Sequence, residues 1–314
     1  MGKIGILLPT RGALFQNEGY AAWETISEMA VLCEASSVES VWVGDSLSAK
    51  PRFDPMTILG ALAAKSERLR LGTSVLLPVL RNPAQLLQSI NTVNAISDGR
   101  LIMGLGLGGA FNDAQKQEWS NVGINHRTRK RRFQEILEII GLSKIENRLN
   151  YAGDYYNLTG LEVNQRADND YTILVAAHAR HELREQFERA GKFGDGFISI
   201  TDTPIQFSKG CEWFTESHIR GTDCDSKSEK VMYITVNVSE DIDKAGKEAE
   251  DFLTAYYGSN IWGDAWGPFG GSQRVIERIR EYQISGATTV IVRFASHDQM
   301  NQLKHFISEV LPNV

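Results

Sequence analysis

The central part of the chain switches from a two-residue to a helical repeat of hydrophobic positions and back again. Over residues 69–77 every second residue is Leu, Leu, Thr, Val or Leu, which is typical of a strand. Asn82 and Pro83 then offer a helix cap and a first helical residue, and Gly99 offers the left-handed residue that ends a helix. Residues 101–107 form a second apolar strand. The predicted helix buries one face, formed by Leu86, Leu87, Ile90, Val93 and Ile96.

The same order of strand, helix and strand extends along the whole chain and predicts parallel pairing. No change of composition marks a linker. Eight such units favour an α/β fold with a single closed (β/α)₈ barrel over residues 1–314, rather than an open, doubly wound sheet. The predicted strands cover residues 3–8, 40–43, 69–77, 101–107, 172–176, 197–200, 231–238 and 288–294. The predicted helices cover residues 19–34, 56–65, 83–97, 127–144, 181–192, a run beginning at 204, 245–257, 273–285 and 299–311.

Three segments stand outside this alternation. Residues 110–125 are polar, lack a helical repeat and predict irregular structure. Residues 147–170 separate strands four and five. A structureless loop of that length is uncommon in a compact domain, so we expect a short structured insertion there. The glycine-rich segment 258–271 predicts a loop, which suits either a mobile lid over a planar substrate or plain packing on the barrel. Its large aromatic residues are Trp262, Trp266 and Phe269.

Composition and charge exclude several classes of protein. The formal net charge of −6 argues against a nucleic-acid-binding protein, whose surface would be basic. The basic run 126–132 opens an amphipathic helix and predicts a solvated helix face. The first apolar run is too short for a signal segment or a membrane span. Cys33, Cys211 and Cys224 form no paired motif, which favours reduced thiols. We therefore expect a cytoplasmic protein that binds neither nucleic acid nor a membrane.

The glycine-rich segment after strand four allows more than one interpretation. Residues 104–109 satisfy the G-x-G-x-x-G pattern of dinucleotide-binding sites. Such a site needs a helix that opens at the last glycine, whereas residues 110–125 show no helical repeat. We therefore disfavour a nicotinamide nucleotide and expect Gly106 and Gly108 to let a flat ring lie close to the backbone. The alternative is that these glycines serve only the curvature or the interior packing of the barrel.

Several of these segments together resemble the bacterial luciferase-like superfamily. The resemblance rests on Leu71-Gly-Thr-Ser-Val-Leu-Leu-Pro78, on Arg81-Asn-Pro83, and on the run 97–108. That superfamily includes flavin-dependent monooxygenases and oxidoreductases that use the deazaflavin F420. The resemblance implies a hairpin within residues 147–170, a possible homodimer, and reduced F420 or FMN at the C-terminal mouth of the barrel, acting on a small organic substrate. The context of Asp45 and of residues 73–75 is more similar to the F420 branch.

The resemblance also implies contacts with the cofactor. Backbone N–H groups after strand five would bind its phosphate. A non-proline cis peptide between Ser74 and Val75 would place Val75 against the central ring. Asp45, at the end of strand two, either takes part in proton transfer or is a structural cap. The residues implied around the cofactor are Asp45, Thr73, Ser74, Val75, Gly106, Gly108, Asn112, Ala176, Ala177, His178 and Ala179.

The chain departs from the resembled family at two positions. Ser46 stands where many relatives have the His assigned to proton transfer, and Gly109 stands where the branch that oxidises sugar phosphates has Glu. We therefore do not expect that sugar dehydrogenase activity. The losses leave open a non-catalytic member of the same fold that binds flavin or has lost it. His178 and His181 have no third ligand nearby in the sequence, so we expect no metal. Arg293 suits either an anionic group or a structural ion pair.

Overall fold

A computed structural model of the chain contains eight parallel strands that close into a barrel, which confirms the predicted fold class. The structure describes all residues except 1, 16, 163–169, 219–227 and 260–266. Its strands are β1 (Lys3–Leu7), β2 (Ser40–Val43), β3 (Arg70–Thr73), β4 (Leu101–Leu105), β5 (Arg148–Ala152), β6 (Asn157–Glu162), β7 (Thr172–Ala176), β8 (Gly196–Ile200), β9 (Glu229–Val238), β10 (Phe269–Gly270) and β11 (Thr289–Phe294). The barrel runs β1-β2-β3-β4-β7-β8-β9-β11 and closes by pairing β11 with β1.

Helices between the strands surround the barrel. Two of them begin at cap–proline pairs that the sequence predicts. The Asp54 carboxylate accepts a hydrogen bond from the Thr57 N–H at 2.9 Å, and the Asn82 side chain accepts one from the Ala84 N–H at 2.9 Å. The helices are α1 (Gly19–Glu34), α2 (Pro55–Ala63), α3 (Pro83–Ile96), α4 (Asp113–Asn121), α5 (Arg129–Ile145), α6 (Arg184–Phe193), α7 (Pro204–His218), α8 (Ile242–Tyr257), α9 (Ser272–Ile284) and α10 (Gln299–His305).

The interior of the barrel is filled by buried side chains from seven of its eight strands, as in a packed core. Trp42 on β2 is fully buried there, and its indole Nε1 donates a hydrogen bond to Ser40 Oγ at 2.8 Å. A Cβ added at Gly72 on the neighbouring β3 would lie 2.1 Å from the Trp42 ring. Glycine at that position therefore makes room for the largest side chain of the interior.

The structure corrects the sequence-based prediction at three places, one strand end and two elements that were not predicted. β3 ends at Thr73 instead of continuing to 77, although Leu76 still bridges to Leu105 on β4. Residues 110–125, predicted to be irregular, contain α4. That helix buries only Glu118 and Trp119, so its single apolar contact leaves no hydrophobic repeat to detect. A two-residue strand, β10, extends the sheet from β9 within the segment predicted to be a loop.

Residues of the predicted insertion form the antiparallel hairpin of β5 and β6. The buried Glu135 carboxylate on α5 holds its turn by accepting hydrogen bonds from the N–H groups of Asp154, Tyr155 and Tyr156. No helix among the described residues is long and apolar enough to cross a membrane.

Candidate active site

The carboxyl ends of the barrel strands surround a cavity of about 190 Å³. Apolar side chains, tyrosines and basic residues line it together. The apolar and tyrosine residues come from the ends of β1 and β8, from the middle of β9, from the segment after β3, and from the last turn of α8. They are Leu7, Val75, Leu77, Ile200, Tyr233, Tyr256 and Tyr257.

The segment that follows β3 carries the feature that the resemblance predicts most specifically. The Ser74–Val75 peptide is cis, as expected. Ser74 and Val75 both line the cavity, and Val75 packs against the apolar interior of the barrel. The Ser74 Oγ is buried and has no hydrogen-bond partner among the described residues. A buried hydroxyl of this kind is suited to a hydrogen bond with a bound molecule.

Asp45 lies at the cavity, but its carboxylate is already engaged. Its side chain is 2% exposed and forms a bidentate ion pair with Arg81, at 2.5 and 3.1 Å. One carboxylate oxygen also accepts a hydrogen bond from the Leu77 N–H at 2.9 Å. Asp45 therefore fixes the chain just beyond Ser74 and Val75, and its expected part in proton transfer stays a prediction.

The loop after β2 is held by a second buried carboxylate, Glu118 of α4. Glu118 accepts hydrogen bonds from Ser46 Oγ at 2.7 Å, from the Ser48 N–H at 2.8 Å and from the Ala49 N–H at 3.1 Å. The Ser46 Oγ in turn accepts one from the Lys50 N–H at 2.9 Å. Ser46, at the family's histidine position, is thus part of the support for this loop.

The space beside the two glycines that were predicted to approach a flat ring is occupied by side chains of the protein itself. A Cβ at Gly106 would lie 2.4 Å from the Val75 side chain, and a Cβ at Gly108 would lie 2.8 Å from the Trp119 ring. Gly108 also has a φ of +76°, which favours glycine. The alternative of interior packing therefore accounts for both glycines. Thr73 is likewise buried, and its hydroxyl donates to the Gly104 carbonyl at 2.8 Å.

Asn112 is a helix cap in this structure. Its side chain accepts a hydrogen bond from the Gln115 N–H at 2.9 Å, and the residue is exposed. The helix of the glycine-rich motif begins at Asp113 rather than at Gly109, and Asn112 caps it. The requirements of a dinucleotide site are therefore not met, although the predicted reason, the absence of a helix, was wrong.

The turn after β7 was expected to offer its N–H groups to a phosphate, and the structure shows them already bonded. Asp202, which follows β8 and is 1% exposed, accepts hydrogen bonds from the Ala179 N–H at 2.9 Å and the Arg180 N–H at 3.0 Å. It also accepts one from Ser199 Oγ at 2.5 Å. The remaining N–H groups donate within the protein, Ala177 to the Ile198 carbonyl and His178 to Gln186. We call residues 177–180 the cradle turn.

The expected contact of these residues with a phosphate stays a prediction, and the structure opposes it on physical grounds. A phosphate at the Ala179 and Arg180 N–H groups would displace the Asp202 carboxylate, and two anions cannot share those donors. The sequence did contain a signal for this pairing. Asp202 follows β8, which is the parallel neighbour of β7, so the residues after the two strands meet at the same edge. Ala176 lies at the end of β7 and packs on the barrel interior.

A group of basic residues that the sequence analysis missed stands at the opposite side of the mouth. Arg11 follows β1, and Lys50 and Arg52 follow β2. We call these three residues the cationic cluster. Their side chains stack on aromatic rings of α8: Arg11 lies 5.3 Å and Arg52 5.8 Å from the Tyr256 centroid, and the Lys50 Nζ lies 4.4 Å from that of Tyr257. No local motif marks this cluster, because its members come together only when the barrel closes.

Arg293 on β11 is buried beside this cluster. Its guanidinium donates to Thr235 Oγ1 at 3.1 Å and to the Tyr257 hydroxyl at 2.7 Å. Burial raises the pKa of the Tyr257 hydroxyl. Trp262 and Trp266, considered as lid residues, lie outside the described residues, and Phe269 is in β10. Among the described residues, the aromatic side chains that line the cavity are Tyr256 and Tyr257 of α8 and Tyr233 of β9.

The residues present fit a ring cofactor in one respect and not in another. The apolar wall with Val75 and the unpartnered Ser74 Oγ suit a flat ring with polar edges. The cradle turn does not fit a phosphate group, because Asp202 occupies its donors.

Comparison with known proteins agrees with this architecture. The family model described as luciferase-like monooxygenase matches residues 2–274. The F420-dependent glucose-6-phosphate dehydrogenase of Kineococcus radiotolerans is 26% identical, covering 91% of this chain and 92% of the relative. Among solved structures, an F420-dependent secondary alcohol dehydrogenase in complex with an F420-acetone adduct gives a TM-score of 0.80 at 19% identity, covering 100% and 99% of the two chains. The FMN complex of a type II Baeyer–Villiger monooxygenase component from Pseudomonas putida gives 0.75 at 16% identity, with the same coverage.

The chain belongs to the luciferase-like monooxygenase family. The predicted family and the barrel are confirmed, and the chain is a flavin-type oxidoreductase of that family. The individual site residues remain predictions, apart from the corrections given above.

Proposed function

We propose that this protein transfers hydride to or from a small organic substrate, or oxygenates it, with reduced F420 or FMN bound against Ser74 and Val75. The observation that carries the proposal is the cavity at the carboxyl ends of the strands, which is lined by apolar side chains and contains a buried hydroxyl without a partner among the described residues. Barrel enzymes carry their chemistry at this end. The reduced ring would supply the hydride, or would activate oxygen, when bound.

The side chains of the cavity would orient the reactants and exclude water. Val75, Leu7 and Ile200 offer an apolar surface on which a planar ring can rest. Ser74 Oγ would donate to or accept from a polar edge of that ring. Asp45 would act as a positioning residue, because its bonds to Arg81 and to the Leu77 N–H fix the segment that carries Ser74 and Val75.

F420 is the favoured cofactor within this proposal. Three curated relatives that match over more than 80% of the chain are named F420-dependent glucose-6-phosphate dehydrogenases, in line with the similarity of residues 73–75 to that branch. Ser46 and Gly109 replace the family's His and Glu, so we propose a substrate other than glucose 6-phosphate. The proposal also includes a single domain, a cytoplasmic location and no binding of nucleic acid, as expected from the sequence, and a homodimer, which only the family resemblance implies.

Titration of the purified, cofactor-free protein tests this function. We expect reduced F420 or FMN to bind, with a change in ring fluorescence, and NADP not to bind. Ser74→Ala should weaken ring binding about tenfold, the size of one hydrogen bond to a buried group. Ser89→Ala is a matched control, because the Ser89 hydroxyl donates to the Gln85 carbonyl within α3 in an exposed setting.

Two other results would exclude the proposed function. Tight binding of NADP with no response to either ring would support a nicotinamide enzyme. No binding of any of the three compounds would support the alternative of a non-catalytic member of the fold. The occupied cradle turn and the paired Asp45 are the observations that favour this alternative.

A further inference from the structure

The cationic cluster lacks the carboxylate partners that basic residues near a protein interior usually have. Among the described residues, Arg11, Lys50 and Arg52 form no ion pair with any carboxylate. The Arg11 Nε is buried and has no hydrogen-bond partner in the described part of the chain. Lys50 and Arg52 line the cavity that also contains Ser74 and Val75. Positive charge is thus concentrated at one side of the candidate active site.

The protein holds these cations in place by several independent contacts. Glu118 and Ser46 fix the backbone of the loop from 46 to 50. Gly44 leaves room for the neighbouring guanidinium, since a Cβ there would lie 2.4 Å from Arg52 Nη1. The stacking on Tyr256 and Tyr257 orients the three side chains without neutralising them. Basic side chains on a solvated surface lack such contacts, so these contacts indicate that the positions of the three cations are fixed by the fold.

The pKa of the Lys50 ammonium reflects its burial first and the charges of its neighbours second. Burial, followed by the charges of Arg52, Arg11 and Arg293, lowers the pKa of the Lys50 ammonium to about 8. Glu118 is a nearby acid that acts in the opposite direction, but its carboxylate is engaged by the loop. The Tyr257 ring also faces Lys50, with its centroid 4.4 Å from Nζ. A bound anion would relieve the repulsion by the neighbouring charges and favour the charged ammonium.

We propose that Arg11, Lys50 and Arg52 form a binding subsite for the anionic group of the substrate, a phosphate monoester or a carboxylate. This inference rests on the proposed function, because it places the anion in the same cavity as the surface for the ring. The phosphate of FMN or F420 is separated from its ring by a ribityl chain. We therefore assign the bound anion to the reacting molecule, and binding of the cofactor by the cluster is one of the outcomes of the test below. Arginine forks and a lysine ammonium are suited to bind phosphate and carboxylate oxygens.

Binding of small anions to the cofactor-free protein tests the subsite. We expect inorganic phosphate and glycerol 3-phosphate to give calorimetric binding and to raise the unfolding temperature, and we expect glycerol to do neither. Arg52→Gln and Lys50→Gln should each weaken anion binding about tenfold or more. Lys65→Gln is the matched control. Lys65 also stacks on an aromatic ring, 5.1 Å from that of Trp23, but it follows α2 at the other end of the barrel.

The pH dependence gives a second measurement. Anion affinity of the unsubstituted protein should fall between about pH 7 and 9, as the Lys50 ammonium loses its proton. Lys50→Arg keeps its charge over this range and should keep its affinity. An affinity that falls equally in both proteins would overturn the part assigned to Lys50.

The remaining outcomes separate this inference from the proposed function. Phosphate binding that is unchanged in Arg52→Gln and Lys50→Gln would overturn the subsite, whatever the ring titration shows. A second result would also overturn the subsite by assigning the cluster to the cofactor. In that case phosphate would compete with FMN, the protein would bind FMN more tightly than riboflavin, and Arg52→Gln would abolish this preference. Anion binding as expected, without binding of either ring, would leave the subsite intact and exclude the proposed function.

Discussion

The mouth of the barrel contains two groups of anion-binding donors that differ in how they are satisfied. The cradle turn has backbone N–H groups directed at the buried Asp202 carboxylate, so its anion is part of the chain. The cationic cluster has three basic side chains that rest on tyrosine rings and form no ion pair with a carboxylate among the described residues. The donors of the cradle turn thus have an anion within the protein, and the cations of the cationic cluster do not have one among the described residues.

This difference indicates which region serves structure and which serves a ligand. A donor set that is already matched by a buried acid contributes to stability, and a ligand would have to displace that acid. A set of like charges without counter-ions is a cost to the folded state, which a bound anion would remove. Removal of a charge should therefore destabilise the cradle turn and leave the stability of the cationic cluster unchanged or improved.

The largest effect is expected at Asp202. In Asp202→Ala the N–H groups of Ala179 and Arg180 and the Ser199 hydroxyl would lose their acceptor in a buried setting. Each of these three unsatisfied groups costs about 1–3 kcal/mol, so we expect the unfolding free energy to fall by about 3–9 kcal/mol in total. Urea denaturation measures this change.

Asp298→Ala is a suitable control for the loss of a carboxylate that accepts a backbone hydrogen bond. Asp298 caps α10 by accepting a hydrogen bond from the Asn301 N–H at 3.2 Å, in an exposed setting. Loss of such a cap costs about 1 kcal/mol. A loss at Asp202 no larger than that of the control would mean that the cradle turn does not depend on its internal anion.

The architecture of the mouth could be predicted from the sequence because it depends on local signals. Alternating strands and helices gave the barrel, and cap–proline pairs such as Asn82-Pro83 marked helix starts that the structure contains. The resemblance located the cis peptide between Ser74 and Val75. Helix α4 was missed, because a helix that buries one indole and one carboxylate carries no hydrophobic repeat.

The partners of the site residues could not be predicted in the same way, because they are set by tertiary contacts. Asp45 was placed correctly at the mouth, but its pairing with Arg81 links residues from two different strand ends. The cationic cluster joins loops after β1 and β2 to the end of α8, far apart in sequence. Gly106 was recognised as special, and only the position of the Val75 side chain shows that packing is the reason.

Asp45 provides the next largest effect and shows whether a satisfied carboxylate at the mouth also has a part in the reaction. We expect Asp45→Asn to lower turnover roughly ten- to a thousandfold, comparable with the loss of a general acid or base. The asparagine side chain would keep the shape of the residue but weaken the bonds to Arg81 and to the Leu77 N–H. Steady-state kinetics over a range of pH measures the change.

The shape of the pH profile separates the two roles of Asp45. Loss of one limb of the profile would assign it to proton transfer, and a uniform fall with an unchanged profile would assign it to positioning. Asp54→Asn is the matched control, because Asp54 also contacts Arg81, at 3.0 Å, but is half exposed and caps α2. Turnover of Asp45→Asn equal to that of this control would mean that Asp45 is only a cap.

The smallest effect is expected in the cationic cluster and concerns the pH dependence of stability. The pKa of Lys50 in the folded protein, about 8, lies below the value of about 10.4 for an unperturbed lysine. Below the folded value the ammonium is charged in both states, and the cost of its burial is fully present. Between the two values the unfolded chain binds more protons, so the contribution of Lys50 to stability rises with pH.

We therefore expect the unfolding free energy of the unsubstituted protein, relative to that of Lys50→Met, to rise from about pH 8 to pH 10 and to be flat just below this range. The methionine variant should be as stable as the unsubstituted protein near neutral pH, or more stable, because it removes one of three crowded charges. Lys50→Arg stays charged throughout and should not show the rise. Parallel pH curves for all three proteins would show that Lys50 is not crowded by its neighbours, and the contrast between the cationic cluster and the cradle turn would then rest on geometry alone.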